Sequence, residues 1–192
     1  MTISKKDTPA LLLIDVQKGF EDIKYWGSER NNLYAETNIE LLLKFWRANN
    51  LPVFHIKHCS TTPNSPLKKG SPGNDFQDFI IPKDEEPIIE KEVNSAFIGT
   101  DLQEQLESKN INTLVIIGLT TDHCVSTTTR MAGNYGFTTY LVEDAVATFD
   151  KTGTNGRHYS AQLIHDTAIA SLKDEFASIL STESLLKYVS KK

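Results

Sequence analysis

The sequence predicts a doubly wound α/β domain built on a parallel sheet. Three observations carry the prediction: short apolar runs without alternation, amphipathic helical patterns between those runs, and a size that suits one core. At 192 residues with 39% hydrophobic content, the chain can bury a substantial interior without disulfide or metal staples. The run Ala10 to Ile14 follows Pro9 and stops at Asp15, reading as a strand covered on both faces. After it, Ile39, Leu42, Leu43 and Trp46 fall at the i, i+3, i+4, i+7 spacing of a single helical stripe. Pro52 to Ile56 is the next strand, and Pro87 to Ile89 a shorter one. Thr100 and Gln103 form a capping-box pattern that opens a helix running to about Lys109.

Thr113 to Gly118 and Thr138 to Val142 are strands rich in branched and aromatic residues. Ile164, Ala168 and Leu172 mark a further helix, and Phe176 to Leu180 a last strand. Strands alternating with helices over the whole chain imply right-handed crossovers and helices on both faces, within one domain spanning residues 1–192. Gly19 to Asn32 and Ser60 to Pro87 break the rhythm. Long irregular segments inside a compact domain suit binding loops or lids better than linkers.

Composition narrows the function classes. A formal net charge of −5 gives no general attraction to nucleic acid or to an anionic membrane surface. The polar start MTISKKDTPA and the interruption of the first apolar run by Asp15 and Gln17 leave no signal peptide or spanning helix, so a cytoplasmic protein is expected. Cys59 and Cys124 are then free thiols rather than a disulfide framework.

In open α/β sheets, ligands bind beyond the carboxyl ends of the strands where strand order reverses. The common order 3-2-1-4-5-6 sets strand 1 beside strand 4. Their ends carry Asp15 and the segment GLTTDHC, Gly118 to Cys124. A carboxylate ending one buried strand therefore meets a cysteine at the start of the following helix. A helix N-terminus and a nearby cation both favour the thiolate. Lys91, just past the short strand, supplies that cation and would also hold Asp15 ionised.

These residues sit in longer motifs. IDVQKGF at Ile14 to Phe20, KEVNSAFIGTDL at Lys91 to Leu102, GLTTDHCVSTTTRMA at Gly118 to Ala132 and VEDAVATFD at Val142 to Asp150 together resemble the isochorismatase and nicotinamidase superfamily of cysteine hydrolases. The resemblance implies a six-stranded parallel sheet of Rossmann type and hydrolysis of a C–N amide bond through an acyl-thioenzyme. It gives the proton transfers to Asp15, nucleophilic attack to Cys124, and orientation and electrostatic tuning of the pair to Lys91. It also implies a non-proline cis peptide at Leu119–Thr120, with the backbone amides of Thr120 and Cys124 forming the oxyanion hole.

Phe20, Trp26 and Phe97 flank the motifs and are candidate pocket walls, with ordinary packing as their alternative. Asn94 and Ser95 either touch substrate or orient Lys91. Nicotinamidases hold a divalent ion through an Asp-x-His pair after strand 2. Here that stretch reads FHIKHCS and lacks the Asp, so no metal and no other cofactor is expected. His58 is then a hydrogen-bonding pocket residue and His55 a strand residue. His123 and His165 read as local structural groups, Asp122 as a helix cap, and Cys59 as a buried thiol without a role.

Three functions from different classes follow. Amide hydrolysis of a small molecule requires the nucleophile that Cys124 supplies. Vinyl ether hydrolysis of the isochorismatase type uses the aspartate as acid, without a cysteine. A redox-sensing or non-catalytic member of the fold is the third. The resemblance further implies a homo-oligomer, dimer or larger, whose long loops complete a neighbour's pocket.

Overall fold

The computed structural model describes residues 3–190. Its first half runs β1 (Ala10–Ile14), α1 (Ile23–Trp26), α2 (Ala35–Ala48), β2 (Val53–His58), β3 (Ile88–Lys91) and α3 (Leu102–Ser108). The second half adds β4 (Thr113–Leu119), α4 (Ser126–Asn134), β5 (Thr138–Ala147), a short pair β6 (Lys151–Thr152) and β7 (His158–Tyr159), then α5 (Ala161–Leu172), β8 (Ser178–Leu180) and α6 (Thr182–Val189).

The main sheet is six-stranded in the order β3-β2-β1-β4-β5-β8. Every neighbouring pair in it is parallel. This is the expected 3-2-1-4-5-6 order, the sixth place being taken by β8 because the antiparallel pair β6–β7 intervenes outside the sheet. β1 is buried at every position, as its unbroken apolar run requires.

Alternate residues of the central strands feed two cores. Leu11, Leu13, Val115 and Ile117 pack against α2 and α6, where the stripe Ile39, Leu42, Leu43 and Trp46 is wholly buried. Trp46 also donates its indole N–H to the Pro9 carbonyl at 2.9 Å, tying α2 to the entry of β1. Leu12, Ile14, Leu114 and Ile116 pack against α3, α4 and α5 through Leu102, Leu106, Ala132, Ile169 and Leu172. No helix among the described residues is long and apolar enough to cross a membrane.

Several local expectations are corrected. The Thr100–Gln103 capping box does not form: Thr100 Oγ1 donates to the Ala96 carbonyl at 2.6 Å, Gln103 pairs with Glu107, and α3 starts at Leu102 after an Asp101 that makes no side-chain cap. Ile164, Ala168 and Leu172 do lie on one helix, α5, whose inward face is Ala161, His165, Ile169 and Leu172. A buried histidine sets that face through a polar contact that hydrophobic periodicity does not register. The segment 19–32 contains a 3-10 turn (Lys18–Glu21) and α1, and 60–87 contains further 3-10 turns at Pro72–Asn74 and Asp78–Ile80.

Candidate active site

The site lies at the carboxyl ends of β1, β3 and β4. β1 ends in Asp15, whose backbone takes φ 50°, the left-handed region that Asp tolerates better than most residues. Its amide donates to the Ile56 carbonyl at 3.0 Å and its carbonyl accepts from Gln17 at 2.8 Å, so the chain turns sharply just past the strand. Beside it, Gly118 of β4 has φ 121°, and a Cβ there would lie 2.0 Å from the Ile14 carbonyl oxygen. Only glycine lets the two strand ends approach this closely. The Leu119–Thr120 peptide that follows is cis.

Lys91 ends β3, paired in register with His58 of β2. Its ammonium reaches Asp15 Oδ2 at 2.7 Å, His58 Nδ1 at 3.1 Å and Cys124 Sγ at 3.2 Å. Asp15 and Lys91 side chains are completely buried. Cys124 lies in a π-helical turn, Thr121–Val125, that leads into α4, and its Sγ is 3.8 Å from Asn94 Oδ1. The amides of Val125 and His123 both converge on the Thr120 carbonyl.

The charges differ from the expected arrangement in one respect. Burial pushes the Cys124 thiol well above its ordinary range, and the Asp15 carboxylate adds to this, while Lys91 opposes it only in part. Cys124 therefore rests as a thiol, not as a thiolate stabilised by a helix N-terminus. Burial also disfavours the charge on Lys91, but Asp15 and Cys124 outweigh it and hold the ammonium above its usual range. Asp15 Oδ1 is buried without a hydrogen-bond partner, which leaves a carboxylate lone pair unused in the site.

Asp15, His58 and Cys124 bring ligand-type atoms within 4.8 Å of one another. The Lys91 ammonium stands among them, and its three N–H groups are directed at those three residues. A divalent ion does not fit a site whose donors already surround a cation.

The structure thus brings Asp15, Lys91, Cys124, His58 and Asn94 together. The other candidates make their contacts elsewhere. Phe20 stacks on Trp26 and Phe149, with ring centroids 4.7 and 6.3 Å away. Trp26 donates its indole N–H to the Gly19 carbonyl at 2.8 Å. Phe97 packs on Tyr135 and Phe137, and Ser95 Oγ meets Met131 Sδ. Thr120 Oγ1 is buried without a partner. Asp122 is not a cap: it accepts from Thr148 Oγ1 at 2.5 Å and pairs with Lys151 at 3.2 Å, fastening the turn that carries Cys124 to the end of β5 and to β6. His165 Nδ1 lies 3.1 Å from Thr121 Oγ1 and braces the same turn from α5, whereas His123 is half exposed. His55 is a buried strand residue against Glu86 at 2.8 Å.

Sequence reasoning missed Gln17 and Asn74. Gln17 Oε1 accepts the His58 amide at 2.8 Å, its Nε2 donates to the His58 and Asn74 carbonyls, and Asn74 Nδ2 also donates to the His58 carbonyl. The available signal was a polar side chain inside the motif IDVQKGF, two positions past the buried carboxylate.

The isochorismatase domain profile matches residues 9–184. The chain belongs to the isochorismatase family. Among its relatives is the isochorismatase family protein YrdC of Bacillus subtilis, 49% identical over 94% of this chain and 96% of that protein. The crystal structure of an isochorismatase-family protein from Chromobacterium violaceum superimposes on this isochorismatase-family fold with a TM-score of 0.92 at 40% identity, covering 98% of this chain and 97% of that one. Nicotinamidase 3 of Arabidopsis thaliana is 28% identical over 92% of this chain and 86% of its own.

Proposed function

We propose that this isochorismatase-family hydrolase cleaves a C–N amide-type bond of a small molecule through an acyl-thioenzyme on Cys124. The observation that carries the reading is the buried Lys91 ammonium bridging Asp15 Oδ2 and Cys124 Sγ. Burial holds the proton on the Cys124 thiol, so attack needs a base within reach, and Asp15, which meets Cys124 through the shared Lys91 ammonium, is the group placed to take it. The similarity to a nicotinamidase supports an amide rather than another hydrolysable bond.

Asp15 takes the Cys124 proton as sulfur attacks the substrate carbonyl carbon. The carbonyl π electrons move onto oxygen, which the backbone amides of Thr120 and Cys124 receive. Collapse of this adduct breaks the C–N bond, and the departing nitrogen takes the proton from Asp15. Water then attacks the thioester and gives a proton to Asp15. The second collapse breaks the C–S bond, and the sulfur recovers its proton. Lys91 stays charged throughout and balances the negative charge as it moves between carboxylate and sulfur.

The test is a panel of small amides, ureido compounds and cyclic amides, scored for released ammonia or ring opening, with mass spectrometry of the quenched enzyme. The expected result is a substrate-derived adduct on the peptide holding Cys124. Turnover by Cys124→Ala at a near-normal rate would sink the thioester route and leave the aspartate-only vinyl ether reaction as the alternative.

A further inference from the structure

Lys91 has a third neighbour that the triad does not use. His58 Nδ1 lies 3.1 Å from the ammonium, so Asp15, Cys124 and His58 engage all three N–H groups of Lys91 at once. An ammonium has donors and no lone pair, so Nδ1 must be the acceptor. That assigns His58 as the neutral imidazole carrying its proton on Nε2.

We propose that His58 is a positioning residue, whose Nδ1 lone pair takes the third N–H of Lys91 and so aims the ammonium at Asp15 and Cys124. The inference rests on the triad reading above and adds to it a fourth member that touches no reacting atom. Its backbone is held accordingly. Gln17, wholly buried, grips the His58 N–H and C=O together, Asn74 adds a second donor to the carbonyl, and the β2–β3 register sets His58 directly opposite Lys91. A side chain that only filled space would not need its main chain fixed from two directions by buried amides.

The groups facing the ring are Lys91 from β3, Asp15 from the end of β1 and Cys124 from the nucleophile turn. Burial and the Lys91 charge lower the tendency of His58 to protonate, against weaker opposite pulls from Asp15 and from a backbone hydrogen bond to Val93. Protonation would remove the lone pair that Lys91 uses and set two cations face to face. The neutral ring therefore holds the lysine where a charged one would repel it.

The test uses the full chain, labelled with nitrogen-15. Long-range proton–nitrogen correlation spectra report which ring nitrogen carries the proton, and the His58 signal is assigned by its loss in His58→Asn. The expected result is a single Nε2–H form at neutral pH that resists protonation more than an ordinary histidine, and that protonates at higher pH in Lys91→Met. An Nδ1–H form, or a protonated ring at neutral pH, overturns the proposal whether or not Cys124 is the nucleophile.

A second arm follows iodoacetamide alkylation of Cys124. Asn carries its carbonyl oxygen on the same branch as Nδ1, so His58→Asn should keep the alkylation rate within about threefold, whereas His58→Leu, which offers no acceptor, should slow it about tenfold or more. Equal rates in the wild type and His58→Leu, with both folded by circular dichroism, would also overturn it.

Discussion

At the scale of the residue, the site is a chain of mutual protonation states. Cys124→Ala removes one sulfur from a turn that is otherwise held by Asp122, Thr121 and their partners, so the variant should fold normally and lose turnover by about a thousandfold or more. Asp15→Asn should be comparably inactive, since an amide accepts no proton from the thiol. Cys59→Ala should keep most activity, because that thiol sits beside Asn74, 3.8 Å from its amide nitrogen, and not at Lys91. Steady-state turnover of the three variants on one confirmed substrate separates these outcomes. That Asp15, Lys91 and Cys124 would meet was legible because each lies in a long, specific motif. The ionisation of Cys124 was not, since burial is a property of the assembled site and reverses the sign expected from a cation and a helix start alone.

At the scale of the element, two joints fix the strand ends and loops. The first is Gly118, where β1 and β4 nearly touch. Gly118→Ala would drive a methyl to 2.0 Å from the Ile14 oxygen at a backbone angle that alanine avoids. The expected cost is about 4 kcal/mol or failure to fold, read as a fall of roughly 10 °C in thermal midpoint. An unchanged midpoint would contradict the close approach. The second joint is Asp150, just past β5. It accepts from the Ser28 amide at 2.6 Å, the Ser28 hydroxyl at 2.7 Å and the Glu29 amide at 2.8 Å, and meets His158 of β7 at 3.0 Å. Asp150→Ala strands two backbone donors in a partly buried place, so a loss of about 1–3 kcal/mol is expected. Faster proteolysis within residues 19–32 than in the wild type is the matching local signature.

At the scale of the whole molecule, a buried network lies among the helix and strand ends away from the triad. Glu86 accepts both Nε and Nη2 of Arg47 at 2.7 Å and meets His55 at 2.8 Å. Burial works against its charge, yet Arg47, the Lys83 amide and His55 prevail and lower its pKa from 4.5 to about 2. A carboxyl depressed on folding stabilises the protein fully above its unfolded value and loses that contribution as pH falls from 4.5 toward about 2. Melts at about pH 6 and about pH 3 should therefore differ less in Glu86→Gln than in the wild type. An equal difference would mean that other carboxyls carry the acid sensitivity. Turnover should also survive exhaustive chelation with EDTA, because Lys91 stands where an ion would bind. Loss of activity that zinc or iron restores would contradict this.

What the sequence determined alone is the part that local pattern encodes. Unbroken apolar runs such as Ala10–Ile14 require a strand covered on both faces, and the 39–46 stripe requires a helix lying on a core. Alternation of the two, with the reversal of strand order between strands 1 and 4, sufficed to bring Asp15 and Cys124 to one sheet end. Tertiary structure decided what depends on partners far away in the chain. The Thr100 cap was lost to a nearer carbonyl, Asp122 became a clamp on β5 and β6, and the buried face of α5 turned to admit His165. The contact of His58 with Lys91 joins residues 33 positions apart, and Gln17 holds that histidine from 41 positions away. Hydrophobic periodicity records which side of an element avoids water. It is silent on which polar atoms meet once water has gone, and those meetings set the protonation states on which the chemistry depends.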